Sequence, residues 1–316
     1  MPRLAAIGEG EASGTPGIIG DGVHFLSRPV SAGRRGGVVM GRRIGLLVSL
    51  AALLALGGGM LGATPAWAAA PYTCSGTFDN PGVLSGTYST NVFVNGACRT
   101  GGPTTVDGNV FVLAGSTLFA DEFAASGNLH VGSGATLIGG PIEEGGESGP
   151  PPAASFHVGG NLIATQPLGV VLHGSDIAGN VIETGGGGGF NCDPSGIFVL
   201  FGSPVFSVIG EGSHVGGNVT ISGLTSCWLG LTHSRFDGSV HVLNNQLADP
   251  DAIEILDNDI GGNIVCEQNS MMWDSADITE ALYPRMWEPN RVSGIRVGQC
   301  VVAPPLTPDG TSPGAF

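Results

Sequence analysis

Residues 215–221 read Val215-Gly216-Gly217-Asn218-Val219-Thr220-Ile221, and the pattern returns along the chain. An apolar residue, a spacer, Gly, Asn and then Val, Leu or Ile appear as Val106-Asp107-Gly108-Asn109-Val110, Ala125-Ser126-Gly127-Asn128-Leu129 and Val158-Gly159-Gly160-Asn161-Leu162. They come back as Ile177-Ala178-Gly179-Asn180-Val181, Phe236-Asp237-Gly238-Ser239-Val240 and Ile260-Gly261-Gly262-Asn263-Ile264, with Tyr88-Ser89-Thr90-Asn91-Val92 as a degenerate first copy. The intervals between successive Asn (or Ser239) positions are 18, 19, 33, 19, 38, 21 and 24. The base period is about 20 residues.

Each copy alternates after its Asn. Val92/Val94, Val110/Val112, Leu129/Val131, Val219/Ile221 and Val240/Val242 stand one and three places on, with Phe93, Phe111, His130, Thr220 and His241 between them. Period-two alternation makes a strand with one buried face. The Gly before each Asn is read as a bend that a Cβ would resist. A repeat this short cannot bury its own apolar face, but stacked copies can, at about 4.8 Å per coil. The expected fold is therefore all-β: a single-stranded, right-handed parallel β-helix over roughly residues 88–266, at least seven coil steps or about 35 Å of stack. Val110, Val112, Leu129, Val131, Leu162, Val219, Ile221, Val240, Val242 and Ile264 should be buried. The Asn column should form an amide ladder. A second polar column (Thr104, Ser175, Ser213, Ser234 and Asn258) is read as structural in the same way. The two long intervals hold insertions rich in Gly and Pro, Glu143–Pro152 and Gly185–Gly196, which read as loops. Glu183, at an inward position before five glycines, suggests that its strand stops early.

Residues 1–70 stand apart as a signal peptide with an upstream segment. Arg42-Arg43, an apolar run from Ile44 to about Leu61 and then Ala66-Trp67-Ala68 follow the order of an export signal, with cleavage near Ala68 and Met40 as an alternative start. An uncleaved membrane anchor is the other reading, although Gly57-Gly58-Gly59 interrupts the run. Residues 71–300 form the folded domain. Residues 71–90 are expected to cover the first coil and 271–300 the last, with a short helical turn from Asp277 to about Leu282. Residues 301–316, with four prolines, read as a disordered tail.

All six cysteines lie after the cleavage site, and an even count in an exported chain reads as disulfides. Their clustering favours Cys74–Cys98, Cys192–Cys227 and Cys266–Cys300, with the first and third pinning the caps. Cys192 and Cys227 can meet only if Asn180 and Asn218 sit on adjacent coils. No CxxC pair exists, which argues against zinc. After Ala70 five arginines face 23 acids, a net charge of −18, and the chain has no lysine. Such a surface repels nucleic acid and anionic lipid, so no nucleic-acid partner and, after signal cleavage, no membrane partner is expected.

Three features together resemble a known group. The Gly-Asn-Val/Leu turns, the closing Gly261-Gly262-Asn263-Ile264-Val265-Cys266, and Asn290-Arg291-Val292-Ser293-Gly294 leading to Gly298-Gln299-Cys300 are similar to secreted actinobacterial β-helix proteins of unknown function. The resemblance spans roughly residues 71–300, and residues 271–289 depart from it as an insertion. It implies a fold and an extracellular or cell-envelope location, and no activity. Pectate-lyase-like enzymes and bactofilin-type polymers are similar in architecture only.

Two clusters carry the chemistry. Asp249, Asp251, Glu254 and Asp257, with Asp259, lie within eleven residues and offer oxygens that suit Ca²⁺, but without the ordered spacing of a known calcium loop. Asp176, His214, Arg235 and Asp259 each stand four places before an Asn or Ser and should stack on the outside of consecutive coils. A His between Asp and Arg has acid/base potential. An inter-coil salt-bridge ladder, Arg235–Asp259 in particular, is the plainer account. His157, His173 and His233 show no ligand spacing. Met271, Met272, Trp273, Met286 and Trp287 read as an apolar cap over the last coil. No nucleophile elbow, P-loop or dinucleotide fingerprint is present. The expected function is that of a secreted or cell-surface, non-enzymatic structural or display protein, which self-associates or meets extracellular glycan. The alternative is a polysaccharide-active lyase or hydrolase, or a carbohydrate-binding β-helix.

Overall fold

The computed structural model describes residues 70–141, 154–249, 253–270, 272–274 and 290–301. The leader, Asp251, the Glu143–Pro152 insertion, the Asp277–Leu282 turn and the 302–316 tail lie outside the described residues. What is described is nearly all β: one 25-stranded sheet and one two-stranded sheet, with every strand pairing parallel. The helical elements among the described residues are Phe198–Phe201 and the 3₁₀ turn Gln299–Val301.

The pairing follows the repeat. Val92 pairs with Val110, Val110 with Leu129, Leu129 with Leu162, Leu162 with Val181, Val181 with Val219, Val219 with Val240 and Val240 with Ile264. Branched side chains suit this pleated, half-buried surface. All ten positions expected to be buried are at most 2% exposed. Both long intervals are single steps of pairing, since Asn128 and Asn161, and likewise Asn180 and Asn218, are directly bonded. The two flanks are not separate covers. Tyr72–Gly76 pairs in register with Val92–Gly96, and Arg291–Val292 and Arg296–Gly298 extend the other end. The expected cap segments thus include further layers of the same ladder.

The Asn column works differently from a pure amide ladder. Each Oδ1 accepts the backbone N–H of the next Asn: Asn91 from Asn109, Asn109 from Asn128, Asn128 from Asn161, Asn161 from Asn180 and Asn180 from Asn218, all at 2.8 Å. Side chains meet directly only at Asn161–Asn128 and Asn180–Asn161, at 3.1 and 2.9 Å. This explains the glycine. Gly127 and Gly160 do not occupy the left-handed region. A Cβ there would lie 2.5 and 2.6 Å from the Oδ1 of the preceding Asn. Close approach, not a bend, demands Gly at these positions. Asn180→Ala should therefore cost about 0.5–1.5 kcal/mol by chemical denaturation, because it removes the acceptor of the Asn218 N–H. Gly179→Ala should cost at least as much, since its Cβ would press on Gly160 O at 2.6 Å as well. A silent Gly179→Ala would refute the close-approach account.

Glu183 corrects another expectation. Its strand does not stop but runs Val181–Thr184, with Glu183 buried between Ala164 and Ile221. The five glycines after it all take positive φ, from 64° to 107°, a path that side chains resist. They lead into an insertion that folds back over the outside of the sheet. There Ile197, Phe198 and Val205 pack on the outward Ile138, Val171 and Val208, with Trp228 beside them. Disulfides join Cys74 to Cys98, Cys192 to Cys227 and Cys266 to Cys300, with Cα separations of 6.3, 4.7 and 5.4 Å.

Candidate functional site

Strands Gly169–His173 and Ser175–Ile177 are separated by one residue, Gly174, in the left-handed region. The same corner recurs at Glu211, His233 and Asp257, which hold φ values of 20°, 48° and 53°. Just beyond it the chain turns a small polar residue inward (Ser175, Ser213, Ser234 or Asn258), all buried. These form an internal ladder: Ser213 Oγ accepts from Ser175 N, Asn258 Oδ1 from Ser234 N, and Asn290 Oδ1 from Asn258 N. The next residue points outward. That alternation aligns His157, Asp176, His214, Arg235, Asp259 and Arg291 as direct neighbours on successive strands.

Within this column His214 is the centre. Its Nδ1 lies 2.9 Å from Asp176 Oδ1, and its Nε2 lies 3.1 Å from Asp237 Oδ2. The other oxygen of Asp176 lies 3.5 Å from His157 Nδ1, and that of Asp237 accepts from Arg235 Nε at 2.8 Å. A run of five side chains is thereby linked by two bridging carboxylates. Partial burial pulls the His214 pKa down, but the hydrogen bonds to Asp237 and Asp176 outweigh it, so the net direction is upward. Hydrogen bonds from His214 and Arg235 hold the Asp237 carboxyl below the usual range.

The expected Arg235–Asp259 bridge does not form. Their backbones are in register, but the Arg235 guanidinium turns to Asp237, two places along the chain and just past the end of its strand. Asp237 is already anchored by His214 and offers its free oxygen on the same face. Asp259 instead receives Arg291 Nη1 at 3.3 Å.

Sequence reasoning passed over a second group, at the corner itself. His173 Nδ1 lies 3.2 Å from Glu211 Oε2, and His233 Nε2 lies 3.2 Å from Asp257 Oδ2. The hydrogen bond with His173 keeps the Glu211 carboxyl low, against some burial. Four histidines therefore face carboxylates of adjoining layers along one corner.

The acidic cluster proposed for Ca²⁺ is not brought together in the described residues. Asp257 faces His233, Glu254 is buried within Ile253–Leu256, and Asp249 lies beside the sulfurs of Cys192 and Cys227. Those sulfurs are bonded to each other, so they offer no thiolate to a metal. Asp251, the fourth member, lies outside the described residues.

The raised His214 pKa has a pH signature. A histidine whose pKa is higher folded than unfolded contributes stability below its unfolded pKa and loses it as pH rises through the folded value. The melting temperature of wild type should therefore exceed that of His214→Gln at pH 5.5, with the gap closing by pH 8.5. A gap that widened toward pH 8.5 would reverse the sign and discard the account.

Comparison of the chain with protein-family models, with curated proteins and with solved structures finds no match.

Proposed function

We propose that the chain is an exported, non-enzymatic scaffold whose strands wind as a right-handed parallel β-helix, its ends held by the Cys74–Cys98 and Cys266–Cys300 bonds. The winding is supported by in-register parallel pairing at the repeat interval. It is also supported by the near-universal right-handedness of parallel crossovers. Export is supported by three disulfides in a chain with a leader-like N-terminus. Among the described residues no helix is long and apolar enough to cross a membrane.

One observation carries the non-enzymatic reading. The acid/base candidates are engaged with one another between layers: His157–Asp176–His214–Asp237–Arg235 and Asp259–Arg291. A histidine hydrogen-bonded to two carboxylates is favoured as imidazolium, which donates from both nitrogens and has no lone pair with which to take a proton. Here both nitrogens of His214 already face carboxylates. The half-buried aromatics of one outward column support the same reading against a sugar-stacking site there. Phe93, Phe111 and His130 lie ring on ring, 4.9 and 4.8 Å apart, so their faces are turned to each other. The test is turnover of polyuronates and neutral glycans, with and without Ca²⁺, by wild type and His214→Ala. The expected result is no turnover by either. Cleavage by wild type that His214→Ala abolishes would replace the scaffold with the polysaccharide-active alternative.

A further inference from the structure

One face of the sheet differs from the rest of this acidic chain. Pairing aligns Thr73, Phe93, Phe111, His130, Ile163, Ile182, Thr220, His241, Val265 and Val297 on one outward column. It carries no carboxylate and no Arg, and Ile182, near its middle, is 37% exposed. The neighbouring outward column, through Thr165, Thr184, Ser222 and Leu243, is also uncharged up to Glu267. The corner column bearing Asp176, Arg235 and Asp259 lies on the other line of strands.

Net charge decides what can approach. Two copies of residues 71–316, at −18 each, repel. Close approach is least costly on a column that itself holds no acid, because charge is felt over only about 8 Å in physiological salt. Size decides the orientation. Inside the terminal Thr73 one half of the column is bulky, Phe93 and Phe111, and the other end is small, Val265 and Val297, so that with the axis at Ile182 Thr73 overhangs the pairing. We propose that this face binds a second copy of the chain, the two columns running in opposite directions about a two-fold axis at Ile182. Phe93 then meets the second copy's Val297 and Phe111 its Val265, while the two Ile182 side chains meet on the axis. Large against small keeps the two faces at an even separation, near the 10 Å of packed sheets. The arrangement is isologous, as closed dimers require. The stripe is about 40 Å long and two residues wide, which puts the total buried area near 1,000 Å², the lower end of specific interfaces. The dimer is accordingly a weak one, concentration-dependent in the micromolar range.

The inference rests on the strand register and not on the scaffold reading, which the glycan assay decides separately. The experiment is sedimentation equilibrium on the mature, oxidised protein, with thermal melts by circular dichroism as the folding control. Wild type should dimerise reversibly. Ile182→Glu should be monomeric with an unchanged melt, and Ile182→Thr, a residue this column already holds at Thr220, should weaken the dimer should Glu disturb folding. Phe111→Asp and Val265→Arg should each weaken association at least roughly tenfold. Combined in one chain they should restore it, because the antiparallel arrangement sets the new acid against the new base of the second copy. A wild type that stays monomeric at every concentration overturns the proposal. So does a dimer that survives Ile182→Glu, a double variant that fails to recover, or a dimer broken instead by Leu200→Glu, on the exposed face of Phe198–Phe201.

Discussion

Glu183→Gln is expected to stabilise the protein by up to about 3 kcal/mol at pH 8 and to leave it nearly unchanged at pH 4. Glu183 is an inward residue of Val181–Thr184, in a column otherwise filled by apolar side chains such as Ala164 and Ile221. Its Oε1 accepts a hydrogen bond from Ser207 Oγ at 2.7 Å, and that Ser in turn accepts from Val170 N. Burial raises the pKa from 4.5 to about 7, a rise that the Ser207 hydrogen bond only partly opposes. Below pH 4.5 the group is neutral in both folded and unfolded chains and favours neither. Between 4.5 and 7 the unfolded chain releases the proton while the folded one keeps it, so stability falls as pH rises. Above 7 the loss is complete. Gln keeps the size and the Ser207 contact and cannot ionise, so its advantage should open across that window and then level off. Urea denaturation of both proteins at pH 4, 6 and 8 measures it. An advantage independent of pH would show that packing, not ionisation, sets the effect.

Glu183 and His214 tilt the pH profile in the same direction, by different means. His214 loses its stabilising contribution as pH rises through its raised pKa, and Glu183 becomes a burden over the window below pH 7. Both make the folded chain less stable in mild alkali than in mild acid. The variants separate them, because Glu183→Gln should flatten the slope while His214→Gln should remove only the acid-side gain.

The strands were legible because a period of two, repeated at about twenty residues, leaves little freedom in which face is buried. The corner chemistry was written in the same intervals but not in local spacing. His157 and Asp176 are 19 apart, His173 and Glu211 are 38 apart, and His233 and Asp257 are 24 apart. Those are the Asn intervals over the same stretches, so each pair falls on adjoining strands. Ligand spacing sought within a few residues misses such pairs. Two things were not legible. The choice of Asp237 over Asp259 by Arg235 depends on where a long, flexible side chain turns once His214 has fixed Asp237. The burial of Glu183 depends on Ser207, 24 residues later on the strand Phe206–Gly210, which the chain reaches only through an insertion whose length no repeat dictates.

Mild reduction of the native protein should open Cys192–Cys227 before either other bond and release the insertion without unfolding the sheet. Access decides the order, since a thiolate must reach a sulfur. Cys192 is exposed, whereas Cys74, Cys98, Cys266 and Cys300 are all buried to within 2%. The bond spans 35 residues, and a loop of that length is worth about 4 kcal/mol of chain entropy, less any strain. That stabilisation acts mainly on the docking of the insertion. Without the bond the insertion is held by Ile197, Phe198 and Val205 packed on Ile138, Val171 and Val208, and by backbone bonds such as Gly189 N to Thr225 O. The strands beneath keep their own pairing, Val171 to Val208 and Val208 to Gly230, with or without the cover. Cys192→Ser with Cys227→Ser should therefore lose hydrogen-exchange protection at residues 190–205 by a factor approaching a thousand. The far-ultraviolet dichroism should hardly change, and binding of a hydrophobic dye should rise as the outward column is uncovered. Alkylation after limited reduction, read by peptide mass, fixes the order of opening. Labelling of Cys266 or Cys300 first, or a cooperative loss of the whole sheet in the double variant, would mean that the insertion is a structural part of the stack rather than a cover laid over it.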